Sequence, residues 1–360
     1  MRILYQLIIP LLVCFSSATL GQHNGLEDAV RQATLKGGDT AGYSLAVHSP
    51  PASYSVQSGW RDPGAKTLIT DKTAFRLASI TKTYVASTVL RLWEDGLVDL
   101  QSPVSELMDP AFDQWMREDG YDTDKILLNH LLTHTGGVFD HAEDPKYIAA
   151  ILEDPAAEWT PGDQVKACVD WGDPVGEPGD LYSYSDTGYI LVGNIIERIT
   201  RKTLAASVRQ WLNFEKLGIK QTYWERFEKA PVDQNRAHQF FQGIDTYYWN
   251  PTIDLYGGGG LVATPADVAL FFNKLLTGKV FKNPDTLNLM LSKDGLPETS
   301  PYRIGIFERE FDGKKVYLHY GYWGTLVTHD PVSNNTIAGA VTRHSDFEVL
   351  KGLIADAMKE

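Results

Sequence analysis

Apolar and polar positions change their period repeatedly along this chain, and each change marks an element. Leu26 to Leu35 carries apolar residues at helical spacing and stops at Gly37-Gly38, which predicts a short helix. Tyr43 to His48 and Tyr54 to Ser58 alternate in hydrophobicity around Pro50-Pro51, which predicts a hairpin. The strand-like run from Phe75 to Ser79 passes into a helical pattern through Val85, Val89, Leu92 and Trp93, closed by Gly96. From Leu97 to about Asn250 the signals are helical or loop-like. Asn129 to Gly137 reads as a short helix ending in a glycine turn, and Ile190 to Ile199 as a helix. Pro155, Pro161, Pro174 and Pro178 mark a long irregular connection between them. After the run Gly257 to Gly260, a helix is predicted over Pro265 to Leu276, with Thr264 as its N-cap. Strands return at Ile304–Glu308, Lys315–His319, Gly324–His329 and Thr336–Thr342, and Phe347 to Met358 reads as a closing helix.

Strand material therefore lies at both ends of the chain and helices lie between. The economical architecture is an α/β (α+β) fold: an antiparallel sheet built from both chain ends, flanked by the first and last helices, with a large all-helical insertion. The expected boundaries are a sheet domain over 22–100 and 257–360 and a mainly helical domain over 101–256.

The 360 residues are 43% hydrophobic and 22% charged, which suits a globular protein with a sizeable core. Residues 1–21 read as a secretory signal. Arg2 precedes an apolar run from Ile3 to Val13, and small residues from Ser16 to Gly21 offer a cleavage site. The run is short for a bilayer span and contains Pro10 and Gln6, so stable membrane insertion is not expected after cleavage. A secreted or periplasmic location follows. The formal net charge is −13, and loss of Arg2 with the leader makes it −14. That charge repels phosphate backbones and disfavours nucleic acid as a partner. Of the two cysteines, Cys14 lies in the leader, leaving Cys168 without an intramolecular disulfide partner. It reads as a small buried apolar residue rather than a nucleophile.

Ser79-Ile80-Thr81-Lys82 places a hydroxyl and an amine three residues apart, on one face of a helix start. A serine hydroxyl attacks only when a neighbour takes its proton, and a neutral lysine can do so. The backbone N–H of Ser79, at the helix N-terminus, is a candidate oxyanion donor. Alone, the spacing is common, and Ser79 could equally be a helix cap. Two further segments join it. Tyr184-Ser185-Asp186 precedes a helix and brings a phenol able to relay protons. His319-Tyr320-Gly321 ends a strand, with Gly321 permitting close backbone approach and the N–H of Tyr322 a candidate second oxyanion donor.

With these three motifs in this order, the sequence resembles the serine β-lactamase and penicillin-binding-protein superfamily. The closer match is its class C-like branch, which contains D-alanyl-D-alanine carboxypeptidases, D-aminopeptidases and family VIII carboxylesterases. Leu131 to Gly137, Pro178-Gly179 with Tyr189 to Glu197, and Gly257 to Thr264 extend the resemblance from about Gly42 to Ala357. It implies a β-lactamase/transpeptidase-like fold and a serine hydrolase working through an acyl-enzyme on Ser79. Lys82 and Tyr184 would share the acid and base roles, with no metal or organic cofactor. The implied partner is a small-molecule ester, amide or peptide substrate; no oligomeric state is implied. A β-lactamase, or a penicillin-binding sensor without turnover, is the alternative.

Several positions depart from that pattern and bear on substrate. Asp186 stands where the family usually has asparagine. Ionised, it accepts hydrogen bonds only and would suit an amine; it could instead cap its helix, or mimic the amide when protonated. His319 replaces the usual lysine and Tyr320 a small hydroxyl residue, which weakens recognition of a substrate carboxylate unless Arg303 or Arg309 restores it. The loop aromatics Trp224, Tyr247, Tyr248, Trp249, Tyr256, Tyr322 and Trp323 could line an apolar pocket or pack between domains. His130 and His134 have the i, i+4 spacing of a zinc pair, but Leu131, Leu132 and Thr133 leave no glutamate between them, so a structural turn is expected.

Overall fold

The structure, a computed structural model, describes residues 17–50, 52–311 and 313–359. Of the segment read as a secretory signal, residues 1–16 lie outside the described residues. The first helix, α1, spans Ser17–Gly37 and so begins earlier than the apolar pattern predicts.

Strands β1 (Gly42–Ser49) and β2 (Ala52–Asp62) form the predicted hairpin, with Leu45 opposite Val56. β3 (Thr67–Leu68) closes one edge. The C-terminal part supplies β4 (Tyr302–Arg303), β5 (Ile306–Phe311), β6 (Lys314–Gly321), β7 (Thr325–Asp330) and β8 (Asn335–Val341). The eight-stranded sheet runs β4-β5-β6-β7-β8-β1-β2-β3. Its halves join where β1 pairs antiparallel with β8, Ala46 facing Ala338. Strand alternation sorts the side chains between two layers. Leu45, Val47, Ile337 and Val341 point towards α1 and the closing helix α5 (Phe347–Ala357), where Leu26, Val30, Leu350 and Ile354 bury against them. Ala46 and Ala338 point the other way, and these small side chains let α4 (Pro265–Leu276) lie close, with Val268, Phe272 and Leu275 buried. Thr264 caps α4 as its position predicts, Oγ1 accepting from the Asp267 N–H at 3.3 Å.

Helix α2 (Thr81–Glu94) is buried on nearly every side, because it lies between α4 and the insertion. Tyr84 stacks on Phe271 of α4 with centroids 3.7 Å apart. Helix α3 (Asp186–Thr200) buries Tyr189, Ile190, Val192 and Ile196 beside it. The insertion is helical as far as Leu217 and then carries short strands, where the sequence reading expected helices throughout. Thr222–Trp224 pairs with Leu261–Ala263, which pairs with Thr73–Arg76, which pairs with Asn235–Arg236. Thr222, Tyr223 and Trp224 are β-formers, and the partner that makes them a strand, Leu261–Ala263, lies some way further along the chain. Among the described residues no helix is long and apolar enough to cross a membrane.

Candidate active site

The chain leaves strand Thr73–Arg76, makes one 3₁₀ turn over Ala78–Ile80, and enters α2. Ser79 sits in that turn. Ala78 before it has φ +45°, a left-handed conformation that L-residues rarely adopt and that surrounding contacts must maintain. Leu77 supplies some of them: its N–H donates to the Leu261 carbonyl at 2.9 Å and its carbonyl accepts from Thr325 Oγ1 at 3.0 Å. Gly321, at the end of β6, lies directly against this turn. A Cβ there would fall 2.0 Å from the Leu77 carbonyl oxygen, so only glycine allows β6 to approach the nucleophile this closely.

Lys82 lies in the first turn of α2 and is wholly buried. Its Nζ donates to Ser79 Oγ at 2.9 Å and to the Gly258 carbonyl at 2.8 Å, and it forms a close ion pair with Asp186. Its three N–H groups thus have three acceptors. Tyr184 also hydrogen-bonds Ser79, and its ring centroid lies 5.0 Å from Lys82 Nζ. Burial, then the charge of Asp186, holds the Tyr184 phenol well above the ordinary tyrosine range. The structure therefore brings Ser79, Lys82, Tyr184 and Asp186 together. Asp186 does not cap its own helix; Ser185 does, its Oγ accepting from the Gly188 N–H at 3.1 Å, which frees the Asp186 carboxylate for Lys82.

His319 is placed differently from Gly321 and Tyr322. Gly321 and Tyr322 line a cavity of about 830 Å³ that opens over Ser79. The His319 ring is wholly buried behind it, with a partner on each nitrogen: Nδ1 lies 3.0 Å from the Tyr320 carbonyl and Nε2 2.9 Å from the Tyr302 hydroxyl. The carbonyl can only accept, so Nδ1 carries the proton and Nε2 accepts from Tyr302. Burial, then the charge of Lys82, pushes His319 down to about 3, which keeps it neutral.

The two arginines considered for a carboxylate clamp are engaged elsewhere. Arg303 is buried, donates to the Ser300 and Tyr302 carbonyls at 3.1 and 2.9 Å, and pairs with Glu308 at 3.2 Å. Arg309 lies over the Phe307 ring, 4.7 Å from its centroid. Among the described residues no arginine or lysine lines the cavity, whereas Asp140, Glu143, Asp144, Asp186 and Asp254 do. Of the loop aromatics, Trp249, Tyr322 and Trp323 form part of its wall. Trp224 is buried, with Nε1 donating to the Leu255 carbonyl, and Tyr247 stacks on His238.

Sequence reasoning missed several residues. Asp254 sits beside Trp323, whose Nε1 donates to Oδ2 at 3.2 Å; burial, then the charge of Asp186, pushes its carboxyl up to about 7. Asp140 is also raised well above the usual carboxylate range by burial and by Asp186. Gln239 ties the two sides of the site together: Oε1 accepts from the Arg76 N–H at 2.9 Å and Nε2 donates to the Trp323 carbonyl at 2.9 Å. Arg76 holds Glu225 through two hydrogen bonds at 2.7 and 3.1 Å and reaches the Trp249 carbonyl at 3.0 Å, anchoring the cavity wall to the nucleophile strand. His130 and His134 each hold a backbone N–H through ring Nδ1, from Leu127 at 3.2 Å and Ser185 at 3.1 Å. Cys168 is buried, its thiol pushed up to about 12 by burial, beside Tyr121.

A serine and a buried lysine one helical turn apart, a phenol on a second helix's leading loop, and a glycine-ended strand alongside thus meet at one cavity of a mixed sheet-and-helix fold. Residues 28–359 match the family model described as Beta-lactamase, and the chain belongs to that family. It is 28% identical over 181 residues to penicillin-binding protein 4 of Amycolatopsis lactamdurans, covering 50% of this chain and 44% of that protein. It is 24% identical over 309 residues to a putative D-alanyl-D-alanine carboxypeptidase of Salmonella agona, covering 75% and 69%. The chain thus spans less than half of the Amycolatopsis protein. The D-amino acid amidase of Ochrobactrum anthropi SV3 shares the fold, with TM-score 0.77 at 23% identity over 94% of this chain and 98% of that one.

Proposed function

We propose that this chain is an exported serine hydrolase that forms an acyl-enzyme on Ser79 and cleaves an ester or amide bond next to a free amine, as in a D-amino-acid amide. The observation that carries the reading is the contact of buried Lys82 with both Ser79 Oγ, at 2.9 Å, and the Asp186 carboxylate. As Ser79 Oγ attacks the carbonyl carbon, its proton passes to Lys82 Nζ while Nζ yields a proton to Asp186. The carbonyl oxygen takes the electron pair and is met by the N–H groups of Ser79 and Tyr322. Tyr184, protonated at neutral pH, donates to the leaving amine or alcohol as the bond breaks. Water then attacks the ester so formed and gives its proton to the Tyr184 phenolate, while Ser79 Oγ leaves with a proton from Lys82 Nζ, which takes one back from Asp186. The preference for an amine rests on five acidic side chains, of which burial favours the protonated form of Asp140 and Asp254, with no arginine or lysine among the described residues lining the aromatic-walled cavity. The same composition disfavours substrates read through a carboxylate, and so places β-lactamase turnover or silent penicillin binding second. The leader-like residues 1–21 support a periplasmic or secreted location.

The test is turnover of D-phenylalanine amide, p-nitrophenyl acetate and nitrocefin by the purified protein, with Ser79→Ala as control. Amide and ester turnover lost in Ser79→Ala supports the proposal. Nitrocefin turnover of comparable efficiency, or stoichiometric labelling without turnover, moves the function to one of the alternatives.

A further inference from the structure

Tyr184 belongs to a loop, yet its phenol must stay within hydrogen-bond reach of Ser79. Two backbone bonds fix the loop, one on each side of the tyrosine, and both end on His134. The Ser183 N–H donates to the His134 carbonyl at 2.8 Å, and the Ser185 N–H donates to His134 Nδ1 at 3.1 Å. The His134 ring also lies against the Tyr184 ring, centroids 4.1 Å apart and planes 31° apart. His134 itself is held at φ +56° on the turn after Leu132. Neighbouring Thr135 extends the same seam, its carbonyl accepting from the Gly179 N–H at 2.7 Å.

We infer that His134 is a positioning residue for Tyr184, acting as a two-point bracket whose ring nitrogen must be an acceptor. This rests on the role proposed for Tyr184. Because Nδ1 accepts, the proton sits on Nε2. Nε2 is buried with no hydrogen-bond partner, and the His134 ring packs against those of Tyr184, Tyr189 and Tyr302, ring centroids 4.1, 5.1 and 4.6 Å apart. An N–H facing aromatic rings is tolerated where a bare lone pair would be repelled by the π-faces. A protonated ring would keep its Nδ1–H pointed at the Ser185 N–H and break the bracket. Burial, then the charges of Lys82 and His319, holds His134 well below the ordinary histidine range and prevents this.

The test compares His134→Asn with His134→Leu. Asparagine places Oδ1 where Nδ1 was and accepts the left-handed backbone, whereas leucine fills the volume and accepts nothing. Leucine is expected to lower kcat about 10–100-fold with KM changed less than about threefold, and asparagine to recover most of the loss. In chains carrying 13C-labelled tyrosine, the Tyr184 ring signal, assigned with Tyr184→Phe, is expected to move in His134→Leu and to hold in His134→Asn. Should leucine prevent folding, 15N spectra of the wild-type ring decide: Nε2–H supports the bracket, and Nδ1–H overturns it. Equal kcat for wild type and leucine, or an unmoved Tyr184 signal, also overturns it. If the wild type shows no Ser79-dependent turnover, the proposed function fails, while the two spectra still report on the bracket.

Discussion

Lys82 Nζ lies 2.9 Å from Ser79 Oγ while its other contacts are the Asp186 carboxylate and the Gly258 carbonyl. The cation beside Ser79 is thus itself paired with a carboxylate that opens onto the cavity. Ser79→Ala is expected to abolish turnover and covalent labelling by a fluorophosphonate. Lys82→Ala is expected to lower kcat by about 10³-fold or more, because it removes the group that accepts the serine proton.

Asp186 marks the departure most tied to substrate. Asp186→Asn keeps the shape and removes the charge. The ratio of kcat/KM for D-phenylalanine amide over its N-acetyl derivative is expected to fall about 10–100-fold, the scale of one hydrogen bond to a charged group. An unchanged ratio would mean that the amine is read elsewhere.

Asp254, raised to about 7, gives a pH dependence with a definite sign. An unfolded aspartate titrates near 4. Between about pH 4 and 7 the folded chain holds a proton that the unfolded chain has lost, so this group makes stability fall as pH rises through that window. Asp254→Asn is expected to remove that component from a plot of melting temperature against pH.

His329 acts in the opposite sense. Its Nδ1 lies 2.8 Å from Thr336 Oγ1 and burial pushes it down to about 4. Between about pH 6.5 and 4 the unfolded chain binds a proton that the folded chain refuses, so stability is lost on acidification. His329→Gln, far from the nucleophile, is expected to flatten the acid side of the melting curve without altering kcat.

Gly321→Ala forces a Cβ to within 2.0 Å of the Leu77 carbonyl. β6 must move from the Ser79 turn, at a cost of about 1–3 kcal/mol. The expected result is a lower melting temperature together with a kcat loss of about 10²-fold, since the Tyr322 N–H moves with the strand.

The sequence made some of this legible and hid the rest for a physical reason. Ser79 with Lys82, Tyr184 with Asp186, and His319 with Gly321 are contiguous motifs on periodic elements, and Pro265–Leu276 was bounded by its own cap. The sheet of both chain ends followed from where alternation occurs. Gln239, Asp254 and Asp140 carry no local signal, and His134 shows only its spacing from His130, because their partners lie far along the chain: Gln239 bonds a residue 163 positions away. Arg303 and His319 had the residue type for recognition, but burial turned one to Glu308 and the other to Tyr302.

Ala46 opposite Ala338 joins segments made at the two extremes of synthesis. The turn bearing the nucleophile leans on β6, so an N-terminal fragment cannot assemble a competent centre. Competence at the Ser79 turn consequently arrives in a single late event, once β6 has taken its place in the sheet.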